Sequence, residues 1–110
     1  MGRSELLGSL EHIVLLALVR LHDNAYGMTV RREIELRTGR NISIGAIYAT
    51  LDRLEGKGLV NSYVGEPTAE RGGRAKRMFT LDAKGQEALR VSQDAIRRMA
   101  SGLRTRLETT

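Results

Sequence analysis

Residues 42–56, ISIGAIYATLDRLEG, hold a helix start, a helical period and a helix stop in one short run. Ser43 supplies the side-chain oxygen of an N-cap. Ile42 before it and Ile47 after it stand at the two positions of a hydrophobic staple, which fixes how the chain enters the helix. At about 100° per residue, Ile47, Leu51 and Leu54 share one face with Ile44 beside them. That face is predicted to be core, and Gly56 or Gly58 to end the helix. The chain passes at once into LVNSYV, whose alternation and β-branched residues read as a strand. A capped helix running straight into a strand leaves little choice of what can surround it.

AKRMFTL repeats the strand pattern further on, so the two runs predict a β-hairpin over Val60 to Gly65 and Ala75 to Leu81. The connecting loop contains Pro67, Gly72 and Gly73 and is too long for a two-residue turn. Arg71, Arg74, Lys76 and Arg77 crowd around the glycines. Arg77 shares strand parity with Phe79 and Leu81, which predicts that its stem covers the core.

Upstream, a first helix is expected from Leu10 to Leu21 with Ser9 as its cap. Its apolar residues, Ile13 to Val19, go all the way round. A helix apolar on every side is buried on every side. One side is therefore assigned to the core and another to a second subunit. HDNAYG is turn chemistry. A second helix covers Gly27 to Arg37, with Met28, Val30, Ile34 and Leu36 apolar and Gly39 as its stop. After the hairpin, Asp82 caps a long last helix from Ala83 to beyond Leu103. Leu89, Ile96 and Leu103 recur at seven-residue steps with Met99 between them, a coiled-coil-like seam.

The 110 residues fit one core. Lys and Arg number 18 against 13 Asp and Glu, a net charge of +5 that suits a polyanionic partner. There is no cysteine, which excludes disulfides, thiolate metal sites and cysteine nucleophiles. His12 and His22 form no metal-ligand pattern, and no Gly-rich phosphate loop is present. His12 is expected in a cap region or interface and His22 in a surface turn. Neither an enzyme nor a metal sensor is expected, and no cofactor. The run Ile13 to Val19 is too short to span a bilayer and lacks the flanks of a signal peptide. The chain reads as a cytoplasmic protein with no membrane partner.

Helix, helix, helix, strand, basic loop, strand, helix is the order of a winged helix-turn-helix, mainly α. In such a module the third helix enters the DNA major groove. Opposite its core stripe lie Gly45, Ala49 and Gly56, flanked by Tyr48, Asp52 and Arg53. Two glycines are costly in a helix, but a face this small admits a close approach by backbone or base edges. Tyr48 and Arg53 suit phosphate oxygens, and the helix start at Ser43 and Ile44 offers free amides. Taken alone, small exposed residues and a solvated Arg53 carry little weight; the basic loop two elements later changes that. Arg71 and Arg74 beside Gly72 and Gly73 are placed to enter a minor groove or clamp a phosphate. An RNA-binding winged helix or a protein-interaction module stands as the alternative. RNA ranks lower because few aromatics are available for stacking.

The segments ISIGAIYATLDRLEGKGLV and ERGGRAKRMFTLDAKGQEAL strongly resemble the PadR family of transcriptional regulators, as do LGSLEHIVLLALVRL and YGMTVRREIE. The resemblance covers Leu7 to Leu89. It implies a winged-helix DNA-binding domain, usually a repressor, that reads an inverted-repeat operator in double-stranded DNA as a homodimer. By position Tyr48 matches the family's recognition-helix tyrosine and ERGGRAKR its wing. The resulting DNA-binding set is Ser43, Ile44, Gly45, Tyr48, Ala49, Arg53, Arg71, Gly72, Gly73, Arg74 and Lys76. The dimer set is Ile13, Leu16, Leu89, Ile96, Met99 and Leu103. The expected division is a DNA-binding domain over 1–81 and a dimerisation helix over 82–110. A single C-terminal helix matches the family's short form, which implies no large effector domain. Some relatives bind small aromatic or cationic molecules at the dimer interface. With no tryptophan and one phenylalanine, this chain is a poor match for that, and any effector stays unidentified.

Overall fold

Three helices close around shared aliphatic side chains, and a hairpin and a fourth helix seal the open side. The structure is a computed structural model that describes residues 5–66, 75–103 and 106–107. In chain order, α1 is Ser9–Leu21, α2 Gly27–Thr38, α3 Ile44–Gly56, β1 Val60–Val64, β2 Arg77–Leu81 and α4 Ala83–Ala100, with a 3₁₀ turn at His22–Asn24. Val14, Leu15 and Leu18 of α1 meet Val30 and Ile34 of α2 and Ile47, Leu51 and Leu54 of α3 in one core. Val60, Phe79 and Leu89 complete it. Burying each such side chain contributes about 1.5–3 kcal/mol relative to exposure.

α3 forms as its sequence predicts. The Ser43 hydroxyl accepts from the Ala46 amide at 3.1 Å, and Ile42 packs against the core beside the buried Ile47. Ile44 differs from expectation: it lies at the edge of the core stripe and is exposed. α2 ends where Gly39 takes a left-handed φ of 73°. Leu36 was expected on the apolar face of α2 but points outward, 77% exposed, because the core stripe is already filled by Val30 and Ile34.

α1 departs from its reading at its start. Gly8, not Ser9, occupies the cap position, because its carbonyl already accepts from the His12 amide at 2.9 Å. Ser9 is therefore inside the helix. In the single chain Val19 is 47% exposed and Ile13 and Leu16 are half-buried, which leaves open the side that the sequence reading assigned to a second subunit. His12 bonds Gln93 of α4 at 2.5 Å, and His22 sits in the turn after α1.

The hairpin is antiparallel, with Val60 opposite Leu81, Ser62 opposite Phe79 and Val64 opposite Arg77. These residues share the face turned to the helices. Pairing extends past the strand ends, since the Gly65 amide donates to the Lys76 carbonyl at 2.7 Å. On the other edge of β2 the Phe79 amide donates to the Ala25 carbonyl at 2.9 Å, and Tyr26 bridges Met78. This isolated bridge from the segment before α2 anchors the hairpin to the helical body.

Asp82 caps α4 by accepting from the Lys84 amide at 2.8 Å. The last helix is shorter than its heptad pattern suggested. It ends at Ala100, where Ser101 becomes extended and Gly102 takes a φ of 80°. A glycine in that conformation stops a helix without the steric penalty another residue meets. Leu103 therefore does not continue the stripe of Ile96 and Met99. No helix among the described residues is long and apolar enough to cross a membrane.

Candidate nucleic-acid interface

Ser43, Ile44, Gly45 and Ala49 lie exposed along the solvent side of α3. A Cβ added at Gly45 would meet nothing within 4 Å, and the same holds at Gly56. The packing of the described residues therefore gives no reason for glycine at either place. Helix propensity argues against it by up to ~1 kcal/mol in a helix interior. What glycine does provide is access to the backbone from outside.

Gly27 is the opposite case. It is buried at the first turn of α2, and a Cβ there would overlap the Tyr48 ring and hydroxyl. Tyr48 is half-buried, packed against the core and laid over the start of α2. Its phenol is thus held where the free amides of the α2 first turn also lie. The Tyr26 amide donates to the Thr29 hydroxyl at 2.9 Å, which fixes that turn.

Arg53 stands near the end of α3, half-exposed, with its Nε 3.1 Å from the Glu11 carboxylate. The Lys57 ammonium is 2.9 Å from the same oxygen. Burial alone would raise the Glu11 carboxyl, but hydrogen bonds from Lys57 and Arg53, helped by the Gly8 amide, hold it below its ordinary value. Arg53 is consequently oriented toward α1, a geometry that the outward-face reading did not anticipate.

Arg31 was missed from sequence. Its Nε donates to the Ile42 carbonyl and its Nη2 to Asn41 Oδ1, both at 2.8 Å. It locks the turn that leads into α3. Nothing in VRREIE marks that arginine from its neighbour, because its partners come from a loop ten residues away. Glu11 was missed for a similar reason, as its partners lie over forty residues on.

The descending limb of the hairpin carries Lys76 over the Tyr26 ring at 5.1 Å from its centroid. The Arg77 guanidinium carbon lies 4.7 Å from the Phe79 ring centroid, so it is the charged head that sits over this core ring. Its guanidinium reaches Asp52 Oδ1 at 2.8 Å and Glu55 Oε1 at 2.5 Å on α3. The hydrogen bond to Asp52, outweighing desolvation and joined by Glu55, raises the Arg77 pKa further. Glu55 is lowered by the Ser62 hydroxyl, against desolvation, and by Arg77. Arg71, Gly72, Gly73 and Arg74 lie outside the described residues.

Of the residues assigned to a dimer contact, Leu89 is only 7% exposed in the single chain and belongs to its core. Ile96 and Met99 are 58% and 78% exposed on α4, and Leu103 follows the helix end.

The architecture recurs in solved structures. A PadR family transcription regulator from Clostridium difficile shares 24% identity with a TM-score of 0.74, covering 91% of this chain and 99% of that one. A PadR-like transcriptional regulator from Bacillus cereus shares 21% with a TM-score of 0.69, each chain covered to 92%. A winged-helix DNA-binding protein from STIV shares 18% with a TM-score of 0.70, covering 89% of this chain and 98% of that one. At these identities the likeness shows the fold, a winged helix. No curated protein matches the chain. The profile described as "Transcriptional regulator PadR-like family" matches residues 15–91 and takes in α3, the hairpin and the start of α4. The chain is a member of the PadR-like family of transcriptional regulators.

Proposed function

We propose that the protein is a sequence-specific regulator that binds an inverted-repeat operator in double-stranded DNA as a homodimer and acts as a repressor. PadR-family regulators are generally non-enzymatic DNA-binding proteins, which supports the class. The observation that carries the reading is the outer face of α3: Gly45 has open space around it and Ala49 is exposed, on a helix whose other face is fully used by the core. Such a face fits the floor of a major groove, with base edges read at van der Waals distance. Tyr48 and the first turn of α2 supply phosphate donors beside it, and Lys76, Arg71 and Arg74 belong to the wing. The related fold from STIV is a DNA-binding protein, which favours DNA over RNA as the partner.

Exposed Ile96 and Met99 on α4, together with half-buried Ile13 and Leu16 on α1, support a second copy of the chain as the cover for those faces. A two-fold dimer presents two reading helices about 34–36 Å apart, or a multiple of that. Selection of bound fragments from a random duplex pool tests this. The expected product is a palindrome with half-sites about 10 base pairs apart, or a multiple. Selection of a single unrepeated motif would remove the dimeric reading, and no enrichment would remove sequence-specific recognition.

A further inference from the structure

The wing of a small domain needs something to hold its angle against the reading helix, and one side chain stands where that is decided. Arg77 opens β2, and its guanidinium spans Asp52 and Glu55, which lie three residues apart on one side of α3. Glu55 uses its second oxygen to accept from the Ser62 hydroxyl of β1 at 2.7 Å. Both strands of the hairpin are therefore tied to the same turn of α3. Beneath the guanidinium lies Phe79, 1% exposed, whose amide is bonded to Ala25.

We infer that Arg77 is a positioning residue: it sets the orientation of the wing relative to α3 and offsets part of the negative charge that Asp52 and Glu55 place on that helix, without itself contacting DNA. The inference rests on the DNA-binding reading above. Magnitudes favour orientation over stability as its role. Asp52 is 58% exposed and Arg77 39%, and ion pairs that open to water contribute little to stability. The planar guanidinium fork is nonetheless geometrically demanding, and a lysine, as a single point charge, reproduces it poorly. Asp52 and Glu55 would repel a phosphate backbone if left unpaired. Their occupation by Arg77 lets the helix carry them toward a polyanion.

Two variants separate positioning from direct contact. Arg77→Met keeps an apolar stem over Phe79 and removes the fork. Asp52→Ala with Glu55→Ala removes the partners, keeps Arg77 and adds two units of positive charge per chain. Under the inference both lower the ratio of affinity for the selected duplex to affinity for a random duplex by about 5–10-fold, within the usual range of coupling between contacting groups. Arg77→Lys gives an intermediate loss. Both variants also speed hydrogen exchange at the Gly65 amide, the described rung nearest the wing tip, about tenfold, while the amides of Leu51 and Leu54 keep their protection. If Arg77 instead touches DNA, the carboxylate variant binds the selected duplex more tightly with its ratio intact, which overturns the inference. Unchanged exchange at Gly65 in Arg77→Met overturns it as well. Should the wild-type chain bind no duplex, the DNA-binding reading fails by itself, and the exchange measurement still decides whether Arg77 orders the wing.

Discussion

Gly27 and Gly45 are both glycines at the start of helices, yet they are there for different reasons. Gly27 makes room for Tyr48 from within the fold, whereas the space beside Gly45 is open. Gly27→Ala is expected to displace Tyr48 and destabilise the protein by about 1–3 kcal/mol, the range of overpacking. Gly45→Ala is expected to leave the fold as stable or raise it by up to ~1 kcal/mol, less so near a helix end, while weakening DNA binding. Thermal melts with binding titrations check the pair; a destabilised Gly45→Ala protein would mean that the fold itself requires the glycine. Tyr48→Phe keeps the ring over Gly27 and removes only the hydroxyl. Affinity for DNA should fall by roughly 0.5–3 kcal/mol, as for a lost hydrogen bond to a charged acceptor. The melting temperature should hardly move. A large loss of stability with DNA binding intact would assign Tyr48 to the core alone.

Among the elements, α3 was legible down to its cap because every signal it carries is local: Ser43, the staple and the Ile47, Leu51, Leu54 stripe lie within four turns of one another. The strand pair was legible for the same reason, and so was the parity that lays Arg77 on Phe79. The start of α1 was not, because the cap is a backbone carbonyl at Gly8 and no side chain advertises it. The end of α4 was misread because a heptad pattern at Leu103 outweighed Gly102, whose left-handed φ decides the matter. Glu11 was illegible as a site because its partners, Arg53 and Lys57, come from the end of α3. That cluster joins α1 to α3 and makes a pH prediction. Glu11 is held below its ordinary carboxylate value of 4.5, so its contribution to stability is complete above that pH. The contribution is lost as pH falls through the lower value it has in the folded protein. Glu11→Gln should cost about 1 kcal/mol at neutral pH, discounted for half-exposed partners, and should flatten the acid limb of the stability profile. Urea midpoints from pH 7 down to the acid limit measure it; parallel curves for the two proteins would show that Glu11 contributes no pH dependence.

At the scale of the whole molecule, the uncovered apolar surface sits on α4 and α1. Ile96 and Met99 leave an apolar stripe in water that no element among the described residues covers, and patches of this kind mark interaction surfaces. Ile96→Glu with Met99→Glu is expected to yield a folded monomer, because both side chains are exposed in the single chain and their replacement leaves the core intact. Binding to the full palindrome should be lost and weak non-specific binding kept. Sedimentation equilibrium decides this, and a double variant that stays dimeric would move the interface elsewhere.

The proposed function requires that α3 and the wing together hold duplex DNA. It is tested most directly by titrating the full chain against the selected duplex and against RNA of the same sequence over a range of salt concentrations. Two chains should bind each DNA duplex. Log affinity should fall linearly with log salt at a slope of about 0.9 per phosphate contact, with the RNA bound far more weakly. Equal affinity for the RNA, or DNA binding that salt leaves unchanged, would contradict it.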